Sequence, residues 1–587
     1  MPRKWTFTPH DAGRIAGLAS AMNCSPLLAQ VLLARGLETA EAARGFVEAK
    51  MQQLHSPDDM PGLSNAADRI VAAVREKRRI TIYGDYDVDG VTATSILWHC
   101  LKLAGAEVDY YIPCRMEEGY GLNEQALREL HSQDPNRIVV TVDCGICSVH
   151  EAAVAKELGL ELIVTDHHTM DKQLPDAAEL VHPRLPGSKY PFPDLCGAGV
   201  AFKLAWGICQ RLGDGQKASP RMREYLKTAV GLAAMGTVAD VVPLVGENRI
   251  IVRYGLSTLV EKSTPGLGML MRVAGVEKQE ELTAEDIGFS LAPRINAAGR
   301  LGQARLAVEL LTTDNLQRAA QLADYVDQLN KNRQTVERRI YKQAKDMVDA
   351  HPEWEHHGAI VLASDDWHPG VIGIVASRIA ENFERPAIMI ALNGETGIGQ
   401  GSGRSFANFD LHSGMAACSQ YLVGFGGHKA AAGLRIEEGQ VEAFRDALVA
   451  YIRENHVFSE DDTELAVDAE VSLPDLTNRA VKELEWLGPF GAGHPRPVFC
   501  ASSVELFDAP TKMGGGDRHL SMRVRHGQKS YRCIAFGKGH WADEIAEVNG
   551  PINICFSAGL NRYRGYESVE LRLIDWQPAA APVVRTM

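Results

Sequence analysis

Leu162-Ile163-Val164-Thr165-Asp166-His167-His168 ends a short apolar run on one acid and two imidazoles. A run of this length and composition reads as a buried strand. Two other runs end the same way. Ile80-Thr81-Ile82-Tyr83-Gly84 leads into Asp85-Tyr86-Asp87-Val88-Asp89-Gly90, and Ile138-Val139-Val140-Thr141-Val142 leads into Asp143. In an open α/β sheet, ligands bind outside the carboxyl ends of the strands. Three strands that each deliver carboxylate there are expected to share one crevice. Hard oxygen donors with an imidazole suit divalent metals of the Mg/Mn type.

Outward from these runs, residues 76–314 alternate strand and helix signals. Strands are expected near 79–84, 107–112, 137–142 and 161–165, and helices near 91–104, 123–132, 148–158, 197–211 and 221–238. That rhythm predicts a mainly parallel sheet covered by helices. Residues 1–75 read as a helical segment without chemistry, expected to pack on this sheet. Residues 315–348 lack Gly and Pro and carry apolar positions at helical spacing, predicting a connector helix between two lobes. A second α/β pattern follows over 349–458. Short β segments over 459–577 suggest a small barrel, and the Ala/Pro-rich end, 578–587, is expected to be disordered.

The chain has 587 residues, too many for one core. Its net charge of −14 means that any polyanion must be gripped by local basic patches. The densest such patch runs from Lys512 to Lys538, with seven Lys/Arg against the single acid Asp517. Arg523, Arg525, Lys529 and Tyr531 are the candidate contacts within it. The 11 cysteines have no repeated spacing, which argues for reduced thiols and a cytosolic setting. Cys144-Gly145-Ile146-Cys147 is a lone pair, too few for a four-ligand zinc site. No apolar run reaches the ~18 residues of a membrane helix, so no membrane is expected.

One Asp in Asp85-Tyr86-Asp87-Val88-Asp89 could merely cap the following helix. Three at alternate positions favour a metal. Asp143 could cap a helix too, or bridge two ions. Asp240 follows an apolar helix, where a buried carboxylate without a partner is costly. Gly401-Ser402-Gly403-Arg404-Ser405 has the makeup of a phosphate-binding nest, and Gly427-His428 reads similarly. Arg115, Arg294 and Arg300, whose simpler role is a surface salt bridge, could face the same anion.

Taken in order, these motifs resemble the DHH phosphoesterase superfamily, and within it the single-stranded-DNA exonucleases. The match covers nearly the whole chain, from Asp85 to Gly90 through Asp143, Asp166-His167-His168, Asp240, Arg294 to Arg300 and Gly401 to Ser405, to Gly426-Gly427-His428-Lys429. The resemblance implies a DHH domain, a linking helix, a DHH-associated domain and an OB-fold that grips DNA. It also implies 5′-to-3′ exonuclease action on single strands in DNA repair and recombination, with two Mn2+ or Mg2+ ions. Pyrophosphatase relatives carry a liganding His four residues before the Asp that matches Asp87, where this chain has Tyr83. By position, the resemblance assigns Asp87 to one metal, with Asp85 compensating for the lost imidazole. It assigns Asp89, His167 and Asp240 to the other metal, and Asp143 to the bridge. Asp85, Asp143 and His168 would be catalytic, with His168 facing the scissile phosphate. Arg115, Arg294, Asn296, Arg300, Ser402, Gly403, Arg404, Gly427 and His428 fall on the substrate side. The expected partners are single-stranded DNA, a single-strand-binding protein and a helicase, for a monomer in the cytoplasm. A small-substrate DHH phosphodiesterase, cutting short oligonucleotides or cyclic dinucleotides, is the alternative that the basic barrel argues against. A non-catalytic single-strand-binding scaffold is the other, and the full set of metal motifs argues against it.

Overall fold

Three strand-helix-strand crossovers and one connection without a helix build a five-stranded, all-parallel sheet. Its order is Val108–Tyr111, Ile80–Tyr83, Ile138–Thr141, Glu161–Thr165 and Glu179–Val181. The chain is described by a computed structural model over residues 3–114, 118–214, 217–351, 354, 357–456, 458, 464–527, 529–548, 550–563 and 566–579. The first strand in sequence, Ile80–Tyr83, sits between the second and third, so the order reverses beside it. A reversal of this kind opens a crevice at the carboxyl edge. The strands Ile80–Tyr83 and Ile138–Thr141 are buried along their whole length, as expected when helices cover both faces of a parallel sheet.

Helices Val88–Leu103 and Gly197–Arg211 pack on this sheet and on each other, and Pro220–Ala239 packs on both. A helix of 34 residues, Leu316–Asp349, follows. Its buried positions change partner along its length. Ala319, Leu322, Ala323 and Val326 lie toward its start. Ile340, Ala344 and Val348 join the core of a second lobe with Ile360, Val375 and Met389. That lobe is a five-stranded mixed sheet in the order Gly424–Gly427, Ala431–Glu437, Ile398–Arg404, Ala387–Ala391, Ile360–Ser364.

The N-terminal residues depart from expectation. Residues 1–50 form a unit with the barrel, not with the parallel sheet. Leu28, Val31 and Leu32 share one apolar core with Leu473, Phe499, Met522 and Phe556. The strand Trp5–Phe7 pairs with Leu465–Val467 in parallel, and Gln30 Nε2 donates to the Asp468 carbonyl at 3.1 Å. A helix with a broad apolar face will bury it against any matching surface, and local sequence does not say which. Only the segment from Met51 onward lies with the parallel sheet. There Glu247 accepts from His55 N (2.8 Å) and from the buried Lys203 Nζ (2.6 Å). The barrel is a seven-stranded sheet whose strand Phe499–Leu506 pairs with both Ile552–Tyr563 and His519–His526, a partial ring. Of the tail expected to be disordered, residues 580–587 lie outside the described residues. Among the described residues, no single helix is long and apolar enough to cross a membrane.

Candidate active site

Asp87 caps the helix Val88–Leu103, its Oδ1 accepting from the backbone N–H of Asp89 (2.9 Å) and Gly90 (3.1 Å). Asp89, two residues into that helix, is held by the start of another. Its carboxylate accepts from Gly197 N at 2.6 Å and Ala198 N at 2.8 Å. These contacts leave carboxylate oxygens of both residues turned to a common centre. His167 Nε2 completes it, 3.7 Å from Asp89, 3.1 Å from Asp143 and 3.6 Å from Asp240. Three sets of possible ligand atoms are each mutually within 4.8 Å: Asp85, Asp87 and Asp143; Asp89, His167 and Asp240; and Asp143, His167 and His168. Asp143 belongs to two of them. All the acids expected to hold metal therefore meet in one place.

Asp143 Oδ1 and His167 Nε2 are both buried, and neither has a well-directed hydrogen bond. Two buried polar atoms 3.1 Å apart that do not bond each other are arranged as two ligands of one ion would be. The surroundings leave space for carboxylate and little else. A Cβ on Gly197 would lie 2.4 Å from Asp143 Oδ1, and one on Gly236 would lie 2.4 Å from Asp89 Oδ1. Asp143 itself has φ of 62°, in the left-handed region that costs a residue with a Cβ.

Charge is unbalanced here. Among the described residues, no Lys or Arg forms an ion pair with Asp87, Asp89, Asp143 or Asp240. Burial, and then the neighbouring carboxylates, raise Asp87 and Asp143 above the usual range. The same causes push Asp240 up to about 8. Burial lowers His167 to about 4, keeping its imidazole neutral as a ligand must be. These donors fit a pair of Mg2+ or Mn2+ ions, which would remove the repulsion.

That strain has a measurable sign. An acid raised in the folded protein keeps its proton where the unfolded chain, with an Asp pKa of ~4, has lost it. Stability is then lost as pH rises through the folded value. His168, raised to about 9, loses its contribution in the same direction, while His167 has no effect above its unfolded value of ~6.5. The EDTA-treated protein is therefore expected to melt at lower temperature at pH 8.5 than at pH 6.5. Mn2+ should raise Tm more at the higher pH. A Tm gain that shrinks with rising pH would contradict this account.

Asp166 is expected at the shared crevice without a role of its own, and the structure gives it a clear one. Its Oδ1 accepts from the N–H of His167 (2.7 Å) and His168 (3.1 Å) and sits 2.7 Å from His168 Nδ1, while Oδ2 accepts from Ile146 N at 2.9 Å. Burial alone would raise this acid, but the His168 bond and charge hold it at about 2. Burial works against a charged His168, and the Asp166 hydrogen bond outweighs it. Asp166 thus orients the imidazole instead of binding metal, and His168 stays 39% exposed at the cleft. Tyr83, which stands where pyrophosphatase relatives have a histidine, is fully buried, and its hydroxyl donates to the Gly121 carbonyl at 3.2 Å.

The helix Ala292–Arg300 joins this centre to the second lobe. Asn296 Oδ1 accepts from Val88 N at 3.3 Å, bracing the Asp-rich loop. A Cβ on Gly299 would lie 2.2 Å from the Tyr86 carbonyl, so this helix sits directly against the same loop. Arg300 Nη1 donates to the Gly370 carbonyl at 3.0 Å, ahead of the helix Ile372–Phe383. Arg294, expected on the substrate side, is held by groups of the protein. Its guanidinium donates to Asp327 (2.8 Å), the Ser290 carbonyl and the Val273 carbonyl (3.2 Å), so it fastens the connector helix. Arg115 lies outside the described residues.

The expected Gly401–Ser405 nest is not a loop. Gly401, Ser402, Gly403 and Arg404 belong to the strand Ile398–Arg404, with strands paired on both edges. Gly403 is needed for packing, because a Cβ there would meet Leu411 Cδ2 at 2.9 Å. The side chains still converge on a helix start. A Cβ on Gly373 would lie 2.9 Å from Ser402 Oγ and 3.2 Å from Arg404 Nη2. A hydroxyl, a guanidinium and the first turn of the helix Ile372–Phe383 therefore share one corner, a suitable setting for an anion. Gly427, with φ of 137°, and His428 form an exposed turn between Gly424–Gly427 and Ala431–Glu437.

In the barrel unit, Arg523, Arg525, Lys529 and Arg532 are exposed on adjoining strands. Arg523 lies directly opposite Arg532, a like-charge pairing that Glu570, 3.3 Å from the Arg532 guanidinium, offsets. Tyr531 is a correction. It is 7% exposed and points into the core, so it is no platform for bases. Phe507 and Phe536 are exposed rings of this unit, and the Arg523 guanidinium lies 5.3 Å from the centre of Phe507.

Residues 79–237 match the family model for the DHH family N-terminal domain, and residues 356–454 match that for the DHHA1 domain. Fold and site together define a DHH phosphoesterase. Residues 467–575 match the RecJ OB domain. The chain is 39% identical to the single-stranded-DNA-specific exonuclease RecJ of Bacillus subtilis, over 97% of this chain and 70% of that protein. It is 33% identical to RecJ of Escherichia coli, over 94% and 95% of the two chains. Its structure is similar to Mn2+-bound RecJ of Thermus thermophilus, with a TM-score of 0.82 and 32% identity over 98% of this chain and 80% of that one. The chain belongs to the RecJ family.

Proposed function

We propose that this chain is a metal-dependent exonuclease that removes nucleotides from the 5′ end of single-stranded DNA. The observation that carries the reading is that Asp143 belongs to two of the three sets of possible ligand atoms, one with Asp85 and Asp87 and one with His167 and His168. Asp85, Asp87 and Asp143 would hold one divalent ion, and Asp143, Asp89, His167 and Asp240 the other. When bound, such a pair activates a water and offsets charge on the phosphoryl oxygens. The residues of this chain do the rest. Asp166 fixes His168 so that its exposed ring meets the substrate beside the metals. Ser402, Arg404 and the helix start at Ile372 would hold the terminal 5′ phosphate, with Arg300 and Asn296 setting their distance from the metal loop. The exposed arginines of the barrel would track the strand by its backbone, which reads no sequence. Family membership further suggests a monomer in the cytoplasm, acting in repair and recombination beside a single-strand-binding protein and a helicase.

The direct test is end-polarity mapping on labelled single and double strands, with and without Mn2+. Progressive loss from the 5′ end of single strands is expected, and release from the 3′ end would contradict the reading. Two sharper tests concern the barrel. Exchanging Arg523, Arg525 and Arg532 together for alanine is expected to raise KM on long strands and leave turnover of very short oligonucleotides close to wild type. The slope of log K against log salt should fall in magnitude by about 2, since each phosphate contact contributes roughly 0.7. An unchanged slope would place the grip elsewhere. A deletion that removes the barrel must also remove residues 1–50, because half of their shared core would otherwise be exposed.

A further inference from the structure

We infer that Cys100, Cys209 and Met222 form a second metal site, one that takes a soft monovalent cation such as Cu(I). Cys100 Sγ lies 3.8 Å from Cys209 Sγ, and Cys209 Sγ lies 3.7 Å from Met222 Sδ. Both thiols are fully buried, and Met222 is 8% exposed. The three sulfurs come from three helices, Val88–Leu103, Gly197–Arg211 and Pro220–Ala239. The inference does not depend on the nuclease reading.

One buried cysteine is ordinary core packing. Three sulfurs in contact are a donor set. Thiol and thioether sulfur suits Cu(I), Zn2+ and iron–sulfur clusters, and the number of donors separates these. Structural zinc and iron–sulfur sites take four ligands. Among the described residues no further Cys, and no His, Asp or Glu, joins the two thiols in a group of possible ligands. An ion held in one plane by three sulfurs at ~2.3 Å puts them about 4 Å apart, close to the spacings of 3.8 and 3.7 Å. A disulfide needs its sulfurs ~2.05 Å apart, so two packed helices would first have to close on each other.

Charge balance points to a single positive charge. The Cys209 hydrogen bond, and then burial, raise the Cys100 thiol, so a thiolate forms here only with a cation to offset it. The ion displaces one thiol proton, which leaves to solvent. The resulting metal–thiolate unit is neutral, and the second thiol and the thioether bind as neutral donors with no change of oxidation state. A dry core tolerates such a unit better than a net charge.

The same three helices carry the acidic centre. The first starts at the Asp87 cap, the second gives Asp89 the N–H groups of Gly197 and Ala198, and the third runs into Asp240. At ~1.5 Å per residue, Cys100 stands about 17 Å along its helix from Asp89, so the two sites are separate. Tyr225 OH donates to the Ile96 carbonyl at 2.5 Å and already ties the third helix to the first beside the sulfurs. Met222 is in the first turn of its helix, where local opening is easiest and gives an ion its way in.

The experiment is an anaerobic titration of the reduced full chain with Cu(I), buffered by a competing Cu(I) chelator and read by X-ray absorption at the copper edge. One tightly held ion with three sulfur neighbours is expected. Met222→Leu, close in volume and free of sulfur, should lower the sulfur count to two. It should weaken binding by at least about tenfold, since even an outer-shell partner of a metal is worth that much. Cys209→Ala should abolish tight binding. Excess Mn2+ should not displace the copper, and amide hydrogen exchange in the first turn of Pro220–Ala239 should slow in the loaded protein. No tight binding in the wild type, displacement by Mn2+, or an affinity and sulfur count unchanged in Met222→Leu would overturn the inference. If Cys209→Ala does not fold, Met222→Leu decides alone.

Discussion

Replacing Asp143 by asparagine is expected to lower kcat by at least about three decades while the protein stays folded. The carboxylate belongs to two of the three sets of possible ligand atoms, one with Asp85 and Asp87 and one with His167 and His168, so its loss would disturb both proposed ions. Metal stabilisation of transition-state charge is worth several kcal/mol, and each ~1.4 kcal/mol is a factor of ten in rate. Asparagine is the informative replacement because it matches aspartate in size and tolerates the left-handed backbone at φ of 62°. Alanine at the same φ adds strain of roughly 1–2 kcal/mol, which would blur a loss of chemistry with a loss of fold. In the metal-free protein the asparagine variant should melt no lower than wild type, because it removes one of several mutually repelling acids. Activity near wild type would take Asp143 out of the centre. An EDTA-treated variant melting well below wild type would make the residue structural.

The second large effect is expected at Arg404. Its change to alanine should lower kcat/KM on 5′-phosphorylated strands by about one to two decades, and matter much less on 5′-hydroxyl strands. A terminal phosphate carries up to about two negative charges, more than an internal diester. A charge-assisted contact to it is worth roughly 1.5–3 kcal/mol. The guanidinium also donates to Ser402 Oγ (3.1 Å) and the Gly403 carbonyl (2.8 Å), so the substitution loosens its neighbour as well. Ser402→Ala should therefore shift the same ratio in the same direction by a smaller factor. The quantity to measure is kcat/KM for 5′-phosphate over 5′-hydroxyl strands. An unchanged ratio in Arg404→Ala would mean that the end is sensed elsewhere.

Much of the catalytic half is legible directly in the residues. The strands at Ile80, Ile138 and Glu161 are short, apolar and each closed by acid, and a parallel sheet must place all such ends on one edge. Strand order is not needed to bring Asp85, Asp143 and His167 together, because carboxyl ends share an edge in any order. The connector helix is equally legible, since 34 residues without Gly or Pro leave the backbone little else to do. Tyr531 shows where local sequence holds more than residue type alone conveys. Once strand bounds are known, alternation along Lys529–Ala535 turns Tyr531 inward with Cys533 and leaves Arg532 outside.

Other features are decided only by the tertiary structure. The Gly401–Ser405 stretch looks like a turn in isolation, because glycine has poor strand propensity. Paired strands on both sides and the crowding at Leu411 and Leu434 make it a strand that needs glycine for room. Asp166 carries no role that its neighbours in sequence reveal, and four hydrogen bonds converging on it make it the brace of His168. The partner of residues 1–50 is least accessible of all. An apolar helix stripe specifies that it must be covered and not by what, and here the cover comes from the barrel at the far end of the chain. The positions of the reacting groups are thus written locally, at the ends of strands. What braces those groups, and what buries each apolar face, depends on contacts between distant segments that only packing selects.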